Sequence, residues 1–411
     1  MHRRDLPKIL ISGSSYSTDN GQGVFTVNLC ERLAERGVQV AALVGSPDGT
    51  PHVVQQNGVK LYQLESIPVD IIRKGERYSF FPIQSIHKAF DDFQPDVVHI
   101  HDHYPLSMLV YLEAQRRGIH TMGTNHFLPE NLAPFIPFYQ TAPHVISWVL
   151  WRWMMVLYNR FHLVTTQSAA ASKVMIKNGL IPPVVTVSCG VDLSRFFPNP
   201  GINRSQVRKR FQIDPQRKVL LYVGRLDREK RLDSVIEAFH QLQRTDIQLV
   251  IAGKGKESDR LKKLAAKTCQ PNQVVFPGYI SQSDLNQLLN CVDCFIMPSD
   301  AELLSIATLE AMASGLPILA ANAYALTELV SDGVNGYLFS PQNSAVIART
   351  IAQFFDHPEQ WASMKASSLE RAKKHDMELV MNQFIHFYQV VKATGSNKKI
   401  ILYPSKHKVS N

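Results

Sequence analysis

The sequence predicts an α/β protein with two doubly wound domains, each a parallel sheet covered by helices. Strand-like and helix-like stretches alternate through most of the 411 residues, and the alternation breaks near residues 190–217 before it resumes. A chain of this length corresponds to two or three domains of roughly 100–200 residues. We therefore expect ligands beyond the carboxyl ends of the strands, in a cleft between the two domains.

The first predicted domain covers residues 1–195. Its short apolar runs, separated by stretches of helical periodicity, are typical of buried parallel strands and their covering helices. The predicted strands are Lys8–Ser14, Val38–Val44, Val59–Leu64, Asp96–His101, His120–Thr124, His162–Thr166 and Val184–Ser188. The predicted helices include Val24–Arg36, Ser107–Arg117 and Ala169–Asn178.

A linker is predicted over residues 196–217, where the segment from Phe197 to Gly201 is rich in proline and asparagine. The second domain is predicted over 218–375, and a C-terminal helix with a lysine-rich tail over 376–411. The predicted strands are Val219–Gly224, Gln248–Ala252, Val274–Phe276, Cys294–Pro298, Pro317–Ala321 and Gly336–Phe339; the helices are Asp233–Leu242, Ser258–Lys267, Ser305–Ala313 and Ser344–Phe355.

Composition excludes several classes of protein. Hydrophobic residues make up 45% and charged residues 19%, which excludes a wholly disordered chain. Five cysteines are too few for a disulfide scaffold and favour a reduced, cytoplasmic protein. No secretory signal and no uncharged apolar run of about 18 residues are evident. The net charge of +9 is compatible with binding to nucleic acid, anionic lipid or a phosphorylated small molecule. The alternative is that the charge only keeps the protein in solution.

Polar clusters follow predicted strands of the first half. Gly21 and Gly23 precede a long helix, where a glycine turn lets the backbone approach an anion; a plain turn is the alternative. His99 and His101 share one face of a strand that leads into a further aspartate and histidine. A metal site is one interpretation, but no further ligand is evident nearby and the polar end of a strand explains the cluster. His126 is either a sugar contact or a structural histidine.

Three more clusters follow strands of the second half. Arg225 and Lys230 stand in a charged segment after the first strand, where both can reach a phosphate. Gly253 begins a Gly-Lys-Gly segment that lacks the full dinucleotide fingerprint. Glu302 and Glu310 flank the start of a helix with Ser305 as its N-cap, so two carboxylates could bind sugar hydroxyls on either side of a diphosphate at the helix N-terminus.

These sequence segments resemble those of the retaining glycosyltransferases of family 4, which have the two-domain GT-B fold. The resemblance spans roughly residues 7–390 and includes Tyr222–Leu226 with Lys230, Gly253–Gly255, Met297–Ser299, the segment from Glu302 to Pro317, and Asp332–Phe339. Cys189–Phe196 is similar to the family's interdomain segment. The family usually has Phe-Gly where this chain has Leu304-Ser305, a variant that resembles lipid-directed members.

The resemblance implies a role for each matched residue. Arg225 and Lys230 would hold the donor diphosphate, Glu302 would face the transferred sugar, and His126 would contact that sugar near the reacting carbon. The remaining donor-binding residues would be Gly21, Gly23, Gly253, Ile306 and Glu310, with Glu310 at the ribose. No cofactor and no metal are implied, because the cations and the helix dipole offset the charge of the leaving group.

The acceptor is suggested by a tryptophan-rich stretch. Val145–Tyr158 holds three of the four tryptophans and one arginine, a composition that suits a bilayer interface; burial inside the first domain is the alternative. Ile71–Phe81 combines basic and aromatic residues, as a loop at a membrane interface would. Together with Thr124–Leu132, these features resemble the diacylglycerol α-glucosyltransferase branch.

We therefore expect a peripheral enzyme on the inner, cytoplasmic face of a membrane that moves a hexose, glucose from UDP-glucose, to a lipid hydroxyl. An anionic membrane surface is the expected partner, nucleic acid is not, and the sequence does not indicate the oligomeric state. The alternatives are transfer to a soluble sugar or polysaccharide precursor, nucleotide-sugar epimerisation, and non-enzymic binding of nucleic acid or membrane through the basic surface.

Overall fold

The computed structural model describes residues 6–14, 16–17, 21–69, 77–129 and 139–394, which form two units. The first unit includes residues up to 167, residues 172–187 and those from 381 onward; the second includes 168–171 and 188–380. Both units are built on sheets whose chain-distant strands pair in parallel, so the predicted doubly wound α/β class is confirmed. Parts of the predictions lie outside the described residues, namely Met1–Asp5, Asn20, residues 70–76, residues 130–138 and the lysine-rich tail from 395.

The first unit contains one large sheet and a small two-stranded ribbon. Its strands are β1 (Ile9–Ser12), β2 (Val40–Gly45), β3 (His52–Gln56), β4 (Val59–Leu64), β5 (Ile67–Pro68), β6 (Arg77–Tyr78), β7 (Val97–Ile100), β8 (His120–Asn125), β9 (Leu163–Thr166) and β10 (Val184–Thr186). The large sheet has the order β10-β9-β8-β7-β1-β2-β4-β3, and β5 pairs with β6. The helices are α1 (Gly21–Glu35), α2 (Ile83–Phe93), α3 (Pro105–Arg116), α4 (Pro143–Tyr158) and α5 (Ala169–Lys177).

The edge of this sheet departs from the expected parallel pattern. Strand β3 pairs antiparallel with β4 through a tight turn at Asn57 and Gly58, both of which have positive φ. This is the turn chemistry of a two-residue hairpin. Every residue of β3 is exposed, so the strand carries no apolar alternation that would have indicated it in the sequence.

The second unit has a six-stranded parallel sheet. Its strands are β11 (Lys218–Val223), β12 (Ile247–Ala252), β13 (Val274–Gly278), β14 (Cys294–Met297), β15 (Ile318–Ala321) and β16 (Gly336–Phe339), in the order β13-β12-β11-β14-β15-β16. The helices are α6 (Arg204–Arg210), α7 (Leu232–Leu242), α8 (Ser258–Thr268), α9 (Gln282–Leu289), α10 (Ile306–Ala313), α11 (Leu326–Leu329), α12 (Ser344–Asp356) and α13 (Trp361–Lys373), followed by α14 (Met377–Ala393).

The segment predicted as a linker, 196–217, is an integral part of the second unit. It contains α6, and the guanidinium of Arg208 in that helix is buried. Arg208 donates to the carbonyl oxygens of Cys291 at 2.8 Å and of Arg217 at 2.9 Å, which compensates the burial of its charge. The long continuous part of the second unit begins at Ser188, earlier than the predicted boundary at residue 195.

The end of the chain also differs from the predicted division. From Met381 onward α14 belongs to the first unit, where its aromatic side chains reach the core. The Phe384 ring lies 5.8 Å from the Phe25 ring of α1, and the Tyr388 hydroxyl lies 2.8 Å from Nδ1 of His99 at the end of β7. The predicted C-terminal helix is therefore part of the framework that holds the polar cluster after β7.

Strand order explains where the polar clusters stand. The first sheet grows from β1 to one side through β2 and to the other through β7. The second sheet likewise grows from β11 through β12 on one side and through β14 on the other. Ligands of doubly wound sheets bind at the carboxyl ends of strands where the order reverses. The clusters singled out in the sequence follow β1, β7 and β8 in one unit and β11, β12 and β14 in the other.

Candidate active site

The core of the candidate site is an ion pair between two loops of the second unit. Lys230 ends a short 3-10 turn after β11, and Glu302 lies in the loop after β14; the two strands flank the point where the sheet order reverses. The Lys230 ammonium is hydrogen bonded to a Glu302 carboxylate oxygen, and their side chains are only 14% and 12% exposed. This ion pair, which the sequence analysis did not anticipate, links the two loops and holds each charge in place for the other.

Two other cations of the loop are also paired with carboxylates. Arg225 contacts the carboxylates of Asp227 and Glu229, the latter at 2.9 Å. Arg231 donates to Asp300 at 2.7 Å, a second link between the loops after β11 and β14. The acidic partners fix the direction of each cation, which a site for a planar or tetrahedral anion requires. These partners could not be assigned from the sequence, because several acidic residues lie nearby.

Helix α10 starts where the loop after β14 ends. Ser305 is its N-cap: its hydroxyl accepts from the Thr308 backbone N–H at 3.2 Å and from the Thr308 hydroxyl at 2.8 Å. The predicted N-cap is confirmed, so the helix N-terminus lies directly after the loop that carries Glu302. A helix N-terminus placed there adds partial positive charge to the cation cluster.

Glu310 lies four residues after Ile306, on the same face of α10. Its side chain is buried, with the whole residue 7% exposed, and burial raises the carboxyl pKa to about 8, against an opposing effect of the Arg195 charge. At neutral pH this carboxyl is therefore largely protonated in the absence of a ligand. A buried carboxyl with no strong cation partner is the kind of group that gains from hydroxyl donors supplied by a ligand.

Gly253 follows β12 and has a structural reason to be glycine. Its φ is +141°, and a side chain there would overlap the backbone carbonyl of Gly224 after β11. The two glycines let adjacent strand ends approach each other closely. This packing accounts for Gly253 without a ligand, so its role in donor binding stays a prediction.

In the first unit, helix α1, which begins with Gly21 and Gly23, contacts His126 through Phe25. Gly21 and Gly23 lie within the first turn of α1, rather than in a loop before it as the sequence suggested. Phe25 of the same helix packs its ring 4.7 Å from the His126 ring, which follows β8. The Gln167 amide contacts Nδ1 of His126, and Gln167 was not anticipated from the sequence because it lies 41 residues away.

His126 is a neutral imidazole poised to donate. Burial lowers its pKa to about 3. Since the Gln167 amide nitrogen donates to Nδ1, the proton of the neutral ring belongs on Nε2, and that buried nitrogen has no partner among the described residues. An N–H donor at the carboxyl end of a strand suits a hydroxyl oxygen, and the role of His126 as a sugar contact stays a prediction.

His99 and His101 are hydrogen bonded within the protein itself. Nε2 of His99 lies 2.6 Å from the Thr124 hydroxyl, and Nδ1 of His101 lies 2.8 Å from the Thr26 hydroxyl. Burial lowers the pKa of both rings, that of His99 to about 3. With Tyr388, these partners place the two imidazoles in a hydrogen-bonded network. The network explains the burial of both histidines without a metal ion.

The tryptophan-rich stretch forms α4 and exposes an apolar face. Trp148, Val145, Val149, Val156 and Trp153 are between 63% and 43% exposed, whereas Trp151 on the opposite face is 4% exposed. Trp151, which we expected to belong to the interfacial surface, is therefore part of the core. The Arg152 guanidinium lies 5.9 Å from the centre of the Trp148 ring, and the helix carries no acidic residue.

Comparison with known families and proteins identifies glycosyltransferase domains in both halves of the chain. Residues 19–195 match the family described as Glycosyltransferase Family 4, and residues 203–372 match the family described as Glycosyl transferases group 1. The chain is 24% identical over 336 residues to a GDP-mannose-dependent alpha-mannosyltransferase of Corynebacterium glutamicum, with 82% of this chain and 75% of that protein covered. It is 28% identical to D-inositol 3-phosphate glycosyltransferase 1 of Catenulispora acidiphila, with 90% of each covered.

Solved structures share the fold. A sucrose-phosphate synthase from Thermosynechococcus elongatus has a TM-score of 0.78 at 19% identity, with 93% of this chain and 98% of that chain covered. The Anabaena HepE structure in complex with UDP-glucose has a TM-score of 0.74 at 18% identity, with 93% and 99% covered. The GT-B arrangement of two Rossmann-like domains is thereby confirmed as the fold of the chain.

Proposed function

The chain is a glycosyltransferase of the GT-B fold, with a family 4 domain followed by a group 1 domain, and on that premise we propose its donor and acceptor. The proposed reaction moves glucose from UDP-glucose to a lipid hydroxyl such as that of diacylglycerol, with retention at the anomeric carbon. The proposed location is the inner, cytoplasmic face of a membrane. The observation that carries the donor assignment is the Lys230–Glu302 pair beside the capped start of α10.

The donor would lie along the carboxyl edge of the second sheet. Its diphosphate would be held by Arg225, Lys230 and the N-terminus of α10. The ribose hydroxyls would donate to Glu310, beside Ile306, while Glu302 would accept from hydroxyls of the transferred sugar. Gly21 and Gly23 would lie near the sugar-phosphate. The UDP and UDP-glucose bound to the Anabaena HepE structures support a uridine nucleotide as donor.

Charge stabilisation is the main chemical contribution of these residues. As the bond between the anomeric carbon and the diphosphate oxygen breaks, negative charge grows on that oxygen, where Arg225 and Lys230 offset it. The acceptor oxygen would bond to the anomeric carbon from the same face, and its proton would pass to the departing diphosphate. His126 would donate from Nε2 to a sugar hydroxyl and fix the sugar during the transfer. With two fixed cations available, we propose that neither a divalent metal nor a cofactor takes part.

The lipid acceptor and the membrane are proposed from α4. Two tryptophans and three valines on its exposed face offer apolar area, and Arg152 stands among them without an acid on the helix. Tryptophan and arginine on one helix face favour the boundary of an anionic bilayer. Among the described residues no helix is both long and apolar enough to cross a membrane, and α4 itself has 16 residues.

Replacing Trp148 by glutamate is expected to lower the fraction of protein bound to anionic vesicles severalfold. The substitution removes a large ring from the centre of the exposed face and adds a charge that anionic lipid repels. Ile176→Glu is the matched control, because Ile176 is a 56% exposed aliphatic residue on α5 of the same unit. Co-sedimentation with phosphatidylglycerol vesicles measures both; equal loss for the two variants, or none for Trp148→Glu, would remove the argument for α4.

The reaction itself is tested by incubating the purified protein with UDP-glucose and dioleoylglycerol in mixed micelles and identifying the products by mass spectrometry. A glucosyl diacylglycerol with α configuration is the expected product. Transfer only to a soluble sugar or inositol phosphate would favour the second candidate, which the D-inositol 3-phosphate glycosyltransferases among its relatives support. A changed sugar nucleotide without transfer would indicate epimerisation, and nucleic-acid binding without donor binding would indicate a basic binding protein.

A further inference from the structure

A histidine outside the proposed donor site is buried, and no described residue forms a hydrogen bond with its ring. His103 follows β7 and is 4% exposed, and neither ring nitrogen has a hydrogen-bond partner among the described residues. Buried polar side chains nearly always have a partner in the protein, in ordered water or in a ligand, because an unpaired one costs about 1–3 kcal/mol. His99 and His101, four and two residues earlier, are both paired, so His103 is the exception in its own cluster.

Aromatic rings surround this imidazole. The Tyr104 ring stacks at 5.2 Å, the Phe127 ring lies at 4.9 Å, and the Trp153 ring meets it edge-on at 4.7 Å. The faces of these rings are apolar, so the two imidazole nitrogens are polar groups set among largely apolar walls. Trp153 is also 43% exposed on the apolar face of α4. One side chain therefore joins a buried hydrogen-bonding group to the surface that we propose meets lipid.

The charge around His103 selects among ligands. Burial lowers the pKa of the imidazole to about 4, although the neighbouring Asp102 carboxylate acts in the opposite direction. The ring is thus neutral at physiological pH and offers one N–H donor and one acceptor nitrogen. Asp102 accepts hydrogen bonds from the Ser14 backbone N–H at 2.6 Å and from the Ser107 hydroxyl at 2.5 Å, which hold its negative charge in place. A phosphate would find no positive charge on the neutral ring and would be repelled by the nearby Asp102 carboxylate. A hydroxyl group can accept a hydrogen bond from the imidazole N–H or donate one to the other ring nitrogen.

We propose that His103 binds the uncharged hydroxyl-bearing end of an amphiphilic acceptor, with Trp153 and the exposed face of α4 lying along its apolar part. This inference rests on the proposed function and narrows it: the acceptor head group is neutral, and a residue unrelated to donor binding recognises it. Asn125, which ends the neighbouring strand β8, has a buried amide nitrogen that also lacks a partner among the described residues, so a second donor stands at the same sheet edge.

The test measures UDP release from UDP-glucose, with and without dioctanoylglycerol, for wild type and for His103→Phe. The phenylalanine ring keeps the aromatic packing and removes both polar nitrogens, so we expect the melting temperature to equal or exceed that of wild type. We expect the glycerolipid-stimulated rate, as kcat/KM for the acceptor, to fall tenfold or more. The slow release without acceptor reports the donor site and should not change.

Two further variants sharpen the result. His103→Gln keeps one donor and one acceptor and is expected to remain within about threefold of wild type. His120→Phe makes the same substitution at the start of β8, at the end of that strand opposite to Asn125. This variant should leave the stimulation by the glycerolipid unchanged. Unchanged stimulation in His103→Phe would overturn the proposal, and so would a parallel loss of the acceptor-independent rate, which would indicate a merely structural role.

A phosphorylated acceptor separates this inference from the proposed function. Stimulation of the wild type by dioctanoyl phosphatidic acid but not by dioctanoylglycerol would contradict a neutral head group and leave glycosyl transfer to lipid standing. Donor hydrolysis that no lipid stimulates would contradict the lipid acceptor itself, and the inference with it. No UDP release under any condition would contradict the donor assignment.

Discussion

Replacing Lys230 by alanine is expected to lower kcat/KM for the nucleotide sugar by a factor on the order of 10²–10³. The ammonium is the best-buried cation of the candidate site and is held by Glu302 at the point where the second sheet reverses its strand order. It offsets charge that develops only as the diphosphate departs, so its removal raises the barrier more than it weakens ground-state binding. Steady-state kinetics with UDP-glucose measure the effect.

Two controls separate this effect from simple loss of an ion pair. Arg244→Ala removes a cation paired with Asp246 and Asp356 at the amino end of β12, on the opposite edge of the sheet, and should leave kcat/KM unchanged. Lys230→Ala combined with Glu302→Gln removes the unpaired carboxylate, so it should restore stability but not turnover. Wild-type turnover in Lys230→Ala, or recovery of turnover in the double variant, would reject the role of Lys230.

Replacing Glu310 by glutamine is expected to change stability and donor binding in opposite directions. The carboxyl has a pKa of about 8 in the folded protein and an ordinary value of 4.5. Because the folded state holds this proton more tightly, the group costs no stability below pH 4.5 and destabilises the protein increasingly as the pH rises toward 8, by at most about 1.4 kcal/mol per pH unit. Glutamine has no proton to lose, so Glu310→Gln should be more stable than wild type at pH 8.5.

The same variant should bind UDP about tenfold more weakly, because a neutral amide accepts ribose hydroxyls less strongly than a carboxylate. In the wild type, hydroxyl donors favour the ionised form, so UDP binding near pH 7.5 should release a proton from Glu310. Calorimetric titrations in buffers of different ionisation enthalpy detect that release.

Glu370→Gln, at an exposed glutamate of α13, is the matched control and should change neither stability at high pH nor UDP affinity. Equal UDP affinity and equal proton release in wild type and Glu310→Gln would remove Glu310 from the ribose.

The strands and their following loops could be predicted because local signals determine them. Gly336–Phe339 and Val59–Leu64 coincide with their predicted ranges, since a short apolar run bounded by turn residues has few alternatives. The position of Ser305 as N-cap followed from the same kind of local chemistry. Because the carboxyl ends of parallel strands lie at the same edge of a sheet, the polar clusters that follow the strands were expected at that edge.

Long-range pairings could not be predicted. Tyr388 reaches His99 across 289 residues of sequence, and no periodic pattern links them. The segment predicted as a linker becomes part of the second unit through Arg208, whose carbonyl partners lie up to 83 residues away. In α4 both faces are apolar, so hydrophobic periodicity did not indicate that Trp151 is buried while Trp148 is exposed. The unpartnered nitrogens of His103 likewise depend on its ring neighbours, which only the fold defines.

The binding position of the nucleotide sugar is tested directly by a crystal structure of the protein with UDP-glucose. We predict the diphosphate within hydrogen-bonding distance of Arg225 and Lys230 at the start of α10, with the ribose against Glu310 and the glucose hydroxyls toward Glu302. A diphosphate bound away from the carboxyl ends of β11 and β14, or a ribose out of reach of Glu310, would contradict the account.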